Sequence, residues 1–515
     1  MKPLKPILLV LVSAIVFTLI FYKQALGLNV LIYELLVIAY LSITKQIKWR
    51  ELNYFITASG VLLTVVFTVL HHSSLSFFVN FLLFILFVGV MIAPELRSPI
   101  NSLKISIFNL FSSPINYRNE YIENNASKKR SRINLRRLGI FVVPLIIIFT
   151  FIFLYSLSSH NFSAFMNDIA DFISEKTSFL LDYVDFWLIV TFAIGFVISA
   201  FIFIRKHIKS IILNEQRQSD ELARERLKHT LDFKFFALKN EYKSAVFLFG
   251  ALNALLLTLN ILDIDTVWFN FEWEGQYLKY FVHFGTYVLI ASIILSIALV
   301  LYFFRNNLNF YPNNKLLKVL CYVWLAQNII LAISVGIRNW HYIEHFALAY
   351  KRIGVLFFLL LAVFGLMTVV KKVRDRKSYF YVARINSVAW IVVFTLAAGV
   401  NWDKIIAKYN FRNADQSFVH LNFLATLSDS ALPELDKSQN QLSNIQVVQE
   451  EKFSPFMKSG SSSINLYSRV YMTPEQYYNR IQVRKHAFKS KWESKGFLAW
   501  NWAEHQAYEE LFGSD

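Results

Sequence analysis

Eleven apolar segments run through this 515-residue chain, and its Lys and Arg residues collect on alternate connections between them. With the N-terminus placed in the cytoplasm, the cytoplasmic connections contain 33 of the 52 Lys and Arg residues, and the opposite connections contain six. This bias is the positive-inside signal of membrane proteins. The pattern predicts a multi-pass membrane protein. Because the number of spans is odd, its C-terminus is expected outside the cytoplasm.

Composition supports the membrane class. Hydrophobic residues make up 56% of the chain and charged residues only 17%, whereas soluble domains carry about 25% charged residues. The net charge of +17 does not indicate nucleic-acid binding, because the excess lies beside apolar spans. Cys321 is the only cysteine, so no intramolecular disulfide forms. It is expected to pack as a small apolar residue.

The predicted fold is all-α, a polytopic bundle of transmembrane helices, because exposed sheet edges are not tolerated in lipid. A span needs roughly 20 apolar residues. The first segment is interpreted as an uncleaved span, since no small-residue cleavage site follows it. A shorter apolar piece, Ser102–Phe111, lies between Pro99 and Pro114 and is interpreted as interfacial or re-entrant. The predicted spans are residues 7–22, 25–44, 53–70, 74–94, 138–157, 186–204, 244–262, 281–303, 316–336, 353–370 and 380–400.

Two charged connections are expected to be partly helical. Residues 205–243 place apolar residues at helical spacing among ten basic ones. They are interpreted either as extensions of the flanking spans along anionic lipid of the inner leaflet or as a solvated connector. Asn161–Tyr183 alternates aromatic and aliphatic residues with acids, which predicts an outer amphipathic helix.

Residues 401–515 change in composition and are predicted to form a small extracytoplasmic helical domain, with a Ser- and Gln-rich linker at 436–463. Thr473, Pro474 and Gln476 form a helix-start signature, and that helix is expected to end near Lys495. A second helix is predicted over Leu498–Phe512, with Trp500 and Trp502. With so little apolar surface, this domain must dock on the outer loops or on a partner.

Glu34 is an ionisable residue in the middle of a predicted span. Such residues are costly in a bilayer and are candidates for function. Asn253, Gln327 and Asn328 lie at a similar depth in their own spans, so a cluster of Glu34 with these amides is expected. Two interpretations remain open, a proton- or ion-coupled site and interhelical hydrogen bonding that only supports the fold.

His341, Glu344 and His345 match the H-x-x-E-H pattern. On a helix the two His side chains could share a Zn²⁺ ion, with Glu344 as general base. The segment is a short connection with no evident third ligand, so chance surface residues are the favoured interpretation. No catalytic residue and no cofactor are predicted.

Arg338, Lys351 and Arg352 lie on the side that is otherwise poor in basic residues. They are expected to pair with the acidic residues of the outer loops, Asp403 among them. The alternative is an anionic ligand or a lipid headgroup.

Several short motifs follow one another along the chain. They are Gly27-Leu28-Asn29-Val30-Leu31-Ile32-Tyr33-Glu34, His283-Phe284-Gly285-Thr286-Tyr287, Ala326-Gln327-Asn328, Arg338-Asn339, Tyr350-Lys351-Arg352-Ile353-Gly354-Val355, Asn401-Trp402-Asp403 and Tyr409-Asn410. In this order they resemble a bacterial family of multi-pass inner-membrane proteins catalogued as domain of unknown function 4153, with a close relative numbered 4173. The resemblance covers roughly residues 25–435 and implies a location in the bacterial cytoplasmic membrane. It brings no activity. It suggests that Glu34, His283, Gln327, Asn328, Arg338, Arg352 and Asp403 belong to one shared site.

Three functions are compatible with the sequence. The first is a non-enzymatic envelope sensor or scaffold whose C-terminal domain binds an extracytoplasmic protein. The second is an ion- or proton-coupled transporter that uses Glu34. The third is an outward-facing metal-dependent hydrolase.

Overall fold

A computed structural model describes residues 6–125, 185–224, 238–271, 275–305, 307–457 and 472–513, and a few single positions between 148 and 169. Of residues 123–125, 275–284 and 454–457 only the backbone is described. Every secondary-structure element of the described residues is a helix, apart from one isolated β-bridge, between Glu221 and Lys377. The predicted all-α bundle is confirmed.

The first helix group packs around one apolar core, in which Val61 and Phe87 are fully buried. The group consists of α1 (Pro6–Phe21), α2 (Leu28–Ile43), α3 (Leu52–His71), α4 (Ser74–Ile92), α5 (Pro99–Asn125) and α6 (Phe186–Phe203). Helices α1 and α6 lie side by side, and α3 and α4 form a hairpin. Gly89 of α4 allows α5 to approach, because a Cβ there would lie 2.3 Å from the carbonyl oxygen of Ser102.

Helix α5 is longer than the predicted short interfacial or re-entrant piece. It begins at Pro99, a favoured first helical residue, and continues through Pro114 for 27 residues. A proline leaves one carbonyl of the preceding turn without its N–H donor. The Ser113 hydroxyl donates to that carbonyl, on Leu110, at 2.8 Å, so a local side-chain bond compensates for the proline.

The second helix group has its own apolar core, which includes Phe249, Phe304 and Cys321. Short helix α7 (Lys209–Gln216) precedes the group, and residues 225–237 of the predicted helical connection lie outside the described residues. The group consists of α8 (Leu238–Asp263), α9 (Gly275–Phe303), α10 (Lys315–Phe346) and α11 (Tyr350–Asp375). Helix α8 ends in a π-helical turn, Ile264–Phe269.

Helix α12 (Tyr379–Ala398) joins the two groups, because it packs against α11 on one side and against α3, α4 and α5 on the other. In the described residues, eight helices are long and apolar enough to cross a membrane, and α1 and α2 are apolar but shorter. Ten of the eleven predicted spans therefore coincide with apolar helices. The predicted span at 138–157 and the predicted amphipathic helix at 161–183 lie outside the described residues, single positions excepted.

The tail domain, residues 401–515, has a third apolar core around Ile406, Leu432 and Tyr477, and its described segments are mainly helical. Its helices are α13 (Trp402–Arg412), α14 (Leu421–Leu424), α15 (Leu432–Leu435), α16 (Gln439–Met457), α17 (Pro474–Glu493) and α18 (Trp502–Phe512).

The predicted linker at 436–463 is wrong over most of its length, since Gln439–Met457 is helical. Ser438 and Gln441 exchange backbone and side-chain hydrogen bonds of 3.2 and 3.0 Å at the helix start. The predicted capping box of Thr473 and Gln476 is confirmed, with Pro474 in the first turn. The expected second helix starts later, at Trp502, after a 3₁₀ turn at Phe497–Ala499.

The connections sort into two ends of the bundle. At one, the basic end, Arg205 donates to Gln46, and Arg97 donates to the Gln218 carbonyl at 2.6 Å. At the other, the tail end, Lys23 pairs with Asp185 at 2.6 Å. The alternate connections inferred from charge thus meet on opposite ends, as a bundle of spanning helices requires.

Candidate functional site

Glu34 lies inside the first helix group and is 6% exposed. The side-chain amide of Asn80, on α4, donates to Glu34 Oε2 at 3.0 Å. The same nitrogen lies 3.4 Å from Thr64 Oγ1, on α3. Glu34 therefore joins three helices of the first group through one amide that the sequence analysis did not single out.

The expected cluster of Glu34 with Asn253, Gln327 and Asn328 is wrong. These three amides belong to α8 and α10 of the second group, whose core is separate. A similar predicted depth in separate helices does not determine which helices are neighbours. Glu34 packs beside α3 and α4 instead.

The amides form a polar seam between α8 and α10. Asn253 donates to the Leu320 carbonyl at 2.9 Å, and its Oδ1 accepts from Gln327 Nε2 at 2.9 Å. Two helical turns further along α8, Asn260 donates to the Gln327 carbonyl at 3.1 Å. Asn328 donates to the Trp324 carbonyl of its own helix at 2.8 Å. The side-chain nitrogens of the seam are thus satisfied, a role that such residues commonly have in membranes. Asn260 Oδ1, Gln327 Oε1 and Asn328 Oδ1 are buried without a hydrogen-bond partner among the described residues.

The seam ends towards the tail end in a buried ion pair. Arg338 and Asp263 pair through Nη2 and Oδ1, and their side chains are 6% and 4% exposed. Ser334 donates to the second carboxylate oxygen of Asp263. A buried charge is tolerated when it is paired and hydrogen-bonded, so this pair completes the seam. Arg338 has one of the acidic partners expected for it.

Arg352 secures the turn between α10 and α11. It donates to the carbonyls of Phe346, at 2.6 Å, and of Ala347, and its guanidinium lies 4.4 Å from the centroid of the Tyr342 ring. These carbonyls end α10 and need donors from outside the helix. Asn339 binds the Arg352 carbonyl in turn, at 3.1 Å. Arg352 thus has a clear role in the fold.

Lys351 is exposed beside a small polar cleft. Thr286 and Asn339 line it with Lys351, and its volume is about 20 Å³, close to the minimum for one water molecule. The cleft is too small for an organic substrate. The side chain of His283 lies outside the described residues, so its expected place beside these groups stays a prediction.

Asp403 connects the tail domain to α11. Its carboxylate accepts from the Tyr350 hydroxyl and from the backbone N–H of Ser428, the latter at 2.9 Å. The predicted shared site is therefore distributed over the molecule. Arg338, Arg352 and Asp403 lie at the tail end, whereas Glu34 lies within the first helix group.

The H-x-x-E-H segment is occupied by contacts of its own. His341 Nδ1 lies 3.1 Å from Glu344 Oε2, and its Nε2 lies 3.2 Å from the Val267 carbonyl. The Phe271 ring stacks on His341 with centroids 4.2 Å apart. His345 Nδ1 contacts the His341 carbonyl at 3.0 Å. Within the described residues, no group of three or more His, Cys, Asp or Glu could hold a metal ion.

The tail domain docks on the first helix group at the connection between α1 and α2. The Leu28 N–H donates to the Trp500 carbonyl at 3.0 Å. Gly27 makes this approach possible, because a Cβ there would lie 2.4 Å from the Ala499 carbonyl oxygen. Asn29 Oδ1 accepts from the Gly27 N–H at 2.8 Å and shapes the turn. Sequence reasoning quoted this motif for its resemblance but missed its role as a docking seat.

A charged group supports the same contact. Glu504 is 4% exposed, is paired with Lys495, and accepts from Asn501 at 2.7 Å. Burial acts to raise the pKa of Glu504, but the hydrogen bond and charge of Lys495, together with the hydrogen bond from Asn501, outweigh it, and the pKa lies below its usual value. His72 faces Glu504, and burial lowers the His72 pKa. His72 Nδ1 is buried without a hydrogen-bond partner among the described residues.

The second helix group holds the opposite side of the tail domain. Phe418 N–H donates to the His345 carbonyl at 2.7 Å. Asn410 exchanges two hydrogen bonds with the backbone of Leu348, at 2.7 and 3.0 Å. Ile353 of α11 belongs to the tail core itself. The tail domain therefore bridges both groups at one end of the bundle.

Comparison with known families finds a match. A family model described as "Domain of unknown function (DUF4153)" matches residues 5–438. The match extends from α1 to the segment just before α16. Comparisons with curated proteins and with solved structures find no match. The resemblance inferred from the motifs is confirmed.

Proposed function

Because this chain belongs to the DUF4153 family, whose description assigns no activity, we propose from its geometry that it is a non-enzymatic envelope sensor or scaffold. In this proposal it lies in the bacterial cytoplasmic membrane, with its N-terminus cytoplasmic. The tail domain lies outside and binds an extracytoplasmic protein. The observation that carries the proposal is the tail domain's attachment to both helix groups.

This attachment would couple partner binding to the membrane domain. The tail domain binds the first group at Leu28 and the second group at His345 and Leu348. Between the groups, α12 provides the main helix contact in the described residues. A ligand of the tail domain that prefers one arrangement of the groups would shift their equilibrium by its difference in affinity. A rigid tail would instead serve as a scaffold.

The proposed orientation rests on charge. The basic end includes α7 and its neighbours, where Lys and Arg of residues 205–243 are concentrated. Basic residues next to apolar spans favour the cytoplasmic side, and each contributes about 1 kcal/mol against anionic lipid. This end would therefore contact anionic lipid of the inner leaflet, and the tail domain would face away from the cytoplasm.

Trp502 is the proposed centre of the partner surface. The Trp500 backbone is engaged by Leu28, whereas the Trp502 side chain is 47% exposed and Phe497 is 76% exposed. Exposed aromatic residues of this kind are enriched at protein interfaces. The partner expected here is a protein with an apolar pocket that accepts an indole ring.

Photo-crosslinking from position 502 tests the proposal. A photoreactive phenylalanine analogue at Trp502, in cells that express the full chain, is expected to capture a discrete extracytoplasmic protein. The matched control replaces Tyr379, which is 67% exposed at the opposite end. If position 502 yields only lipid or the chain itself, the scaffold or sensor proposal is wrong.

A transporter remains the second candidate, and the buried carboxyl of Glu34 favours it. Ionisable residues inside membrane bundles often lie on ion or proton pathways. Against it, Asn80 and the surrounding core enclose Glu34. Transport would require a second conformation in which water reaches the carboxyl. Replacement by Gln, described below, distinguishes the two candidates.

A further inference from the structure

A lateral groove lies where α12 crosses the first helix group, bounded by α3, α4 and α5. Its volume is about 320 Å³, within the range of ligand sites in proteins. Leu83, Leu86 and Ile391 form part of its wall, and exposed Ile56 and Val392 lie at its rim. The exposed rim is apolar on helices able to cross a membrane, so the groove opens towards lipid.

The middle of the groove is lined mainly by apolar residues of α3, α4 and α12. Thr57 donates to the Asn53 carbonyl at 2.7 Å, and Thr395 donates to the Ile391 carbonyl at 2.7 Å. Both hydroxyl donors are thus used within their own helices. A water molecule needs two to four polar partners. The groove therefore suits a hydrocarbon chain rather than water or a polar solute.

The length of the groove matches one leaflet. On α3 it extends from Asn53, in the first turn at the basic end, to Gly60. Seven residues at 1.5 Å each give about 10 Å. On α12 it extends from Val388 to Leu396, about 12 Å by the same rise. The hydrocarbon core of a bilayer is about 30 Å thick, so one leaflet is about 15 Å.

The polar mouth lies at the basic end and contains Arg97, the only charged residue among the described lining residues. Arg97 donates to the Gln218 carbonyl at 2.6 Å, and its guanidinium lies 5.0 Å from the Phe380 ring centroid. These contacts hold the charge where the groove meets solvent.

Two carboxylates lie near this mouth. Glu215 accepts from the backbone N–H groups of Arg97 and Ser98, at 2.5 and 3.1 Å, and from Asn101 at 2.7 Å. These donors compensate its charge, and Glu215 is only 2% exposed. Glu95 is exposed, two residues before Arg97. Arg97 thus remains the cation that faces the groove.

We propose that this groove binds one phospholipid, whose acyl chain lies between α12 and the α3–α4 hairpin and whose phosphate contacts Arg97. A phospholipid places an anionic group directly at the end of a leaflet-long apolar chain, which is the arrangement that the groove complements. The bound acyl chain would fill the space between α12 and the first helix group. This proposal does not depend on the function proposed for the tail domain.

Photolabelling tests it directly. The full-length protein is reconstituted into phosphatidylcholine bilayers that contain phosphatidylglycerol with a photoreactive group on its acyl chain. Labelled residues are then mapped by mass spectrometry. Groove residues such as Ile391 are expected to be labelled more strongly than Leu257, an exposed residue of α8. An even distribution over lipid-facing residues would overturn the proposal.

Matched glycine variants separate the groove from general lipid contact. A Cβ at Gly60 would meet only Leu83 methyls, at 3.5 and 3.9 Å, and a Cβ at Gly250 on α8 would meet nothing within 4 Å. Gly60→Phe fills the groove and should abolish labelling of Ile391, whereas Gly250→Phe should leave it unchanged. If Gly60→Phe does not fold, Val388→Phe blocks the groove from α12. Retained labelling in a folded blocked variant contradicts the proposal.

Arg97→Gln tests the headgroup contact. One basic residue near a membrane surface contributes about 1 kcal/mol against anionic lipid, so labelling of Ile391 at limiting phosphatidylglycerol should fall about fivefold. Lys408→Gln, an exposed substitution in the tail domain, should have no effect. Unchanged labelling in Arg97→Gln would refute the phosphate contact.

Discussion

The backbone N–H of Leu28 donates a hydrogen bond of 3.0 Å to the carbonyl of Trp500, which joins the connection between α1 and α2 to the end of the tail domain. Gly27 lies directly beneath Ala499. On the opposite side, Phe418 of the tail domain binds the carbonyl of His345. The tail domain is therefore an integral part of the folded molecule rather than an appended segment.

Gly27→Ala should detach the docked end of the tail domain. The added Cβ would lie 2.4 Å from the Ala499 carbonyl oxygen, and relief of such overpacking costs about 1–3 kcal/mol. Hydrogen–deuterium exchange of Trp502–Phe512 should increase. Gly250→Ala is the control, since its Cβ meets nothing within 4 Å. Equal exchange in both variants would contradict the docking geometry.

Asp263→Asn should strongly destabilise the second helix group. It leaves the buried guanidinium of Arg338 without its carboxylate, and breaking a buried pair costs about 3–5 kcal/mol. The exposed Lys404–Glu510 pair provides the comparison, because Lys404→Met should change stability by less than about 1 kcal/mol. Thermal unfolding of the purified protein measures both. Similar losses for the two variants would mean that the buried pair is not stabilised as described.

Glu34→Gln should preserve the fold, because the Gln side-chain oxygen can still accept from Asn80. Asn80→Ala should destabilise the protein by about 1–3 kcal/mol, since the buried carboxyl loses its donor. If the protein is a sensor or scaffold, cells that express Glu34→Gln grow as wild type. Cells that express Trp502→Ala then grow like cells that lack the protein. Loss of function in folded Glu34→Gln with Trp502→Ala silent would favour the transporter.

Much of the fold follows from local patterns. Apolar runs identified ten helices, and Thr473 with Gln476 marked a helix start, because these signals depend only on neighbours along the chain. The helix at Gln439–Met457 was missed because its buried residues are few and polar Gln449 is one of them. Gln449 donates to the carbonyls of Ala414 and Ser417, at 2.7 and 2.9 Å. Because these tertiary contacts are polar, they produce no apolar periodicity in the sequence.

The candidate site was less predictable. Hydropathy placed Glu34 and Gln327 at similar depth, but it does not determine the order of helices around the bundle. Glu34 therefore has Asn80 as its partner, and Gln327 has Asn253. The docking contact of Gly27 could not be predicted for the same reason, since the segment that it contacts lies more than 450 residues further along the chain.

Acidification should weaken tail docking through His72. Burial lowers the His72 pKa in the docked state, while Glu504 and Asp429 act to raise it and Lys495 and Lys491 to lower it. The undocked side chain titrates near its usual pKa of about 6.5. As the pH falls below that value, the undocked state binds the proton more readily, so docking loses stability.

The comparison of wild type with His72→Gln at each pH provides the measurement. The exchange rate of α18 amides in wild type, relative to the variant, should rise between about pH 7.5 and pH 5.5 around the usual histidine pKa. The ratio removes the intrinsic pH dependence of exchange. A ratio that does not change with pH would exclude His72 as the titrating group.

Cysteine cross-linking across the docking seat tests the central claim most directly. In a Cys321→Ala background, Gln24→Cys and Gly496→Cys replace residues in contact, since a Cβ at Gly496 would lie 3.0 Å from Gln24 Oε1. A short, membrane-impermeant bismaleimide added to intact spheroplasts should join them, whereas Gln24→Cys with Lys371→Cys, at the basic end, should not be cross-linked. If the first pair remains unlinked, or links only after the membrane is permeabilised, then the tail domain is not an extracytoplasmic bridge.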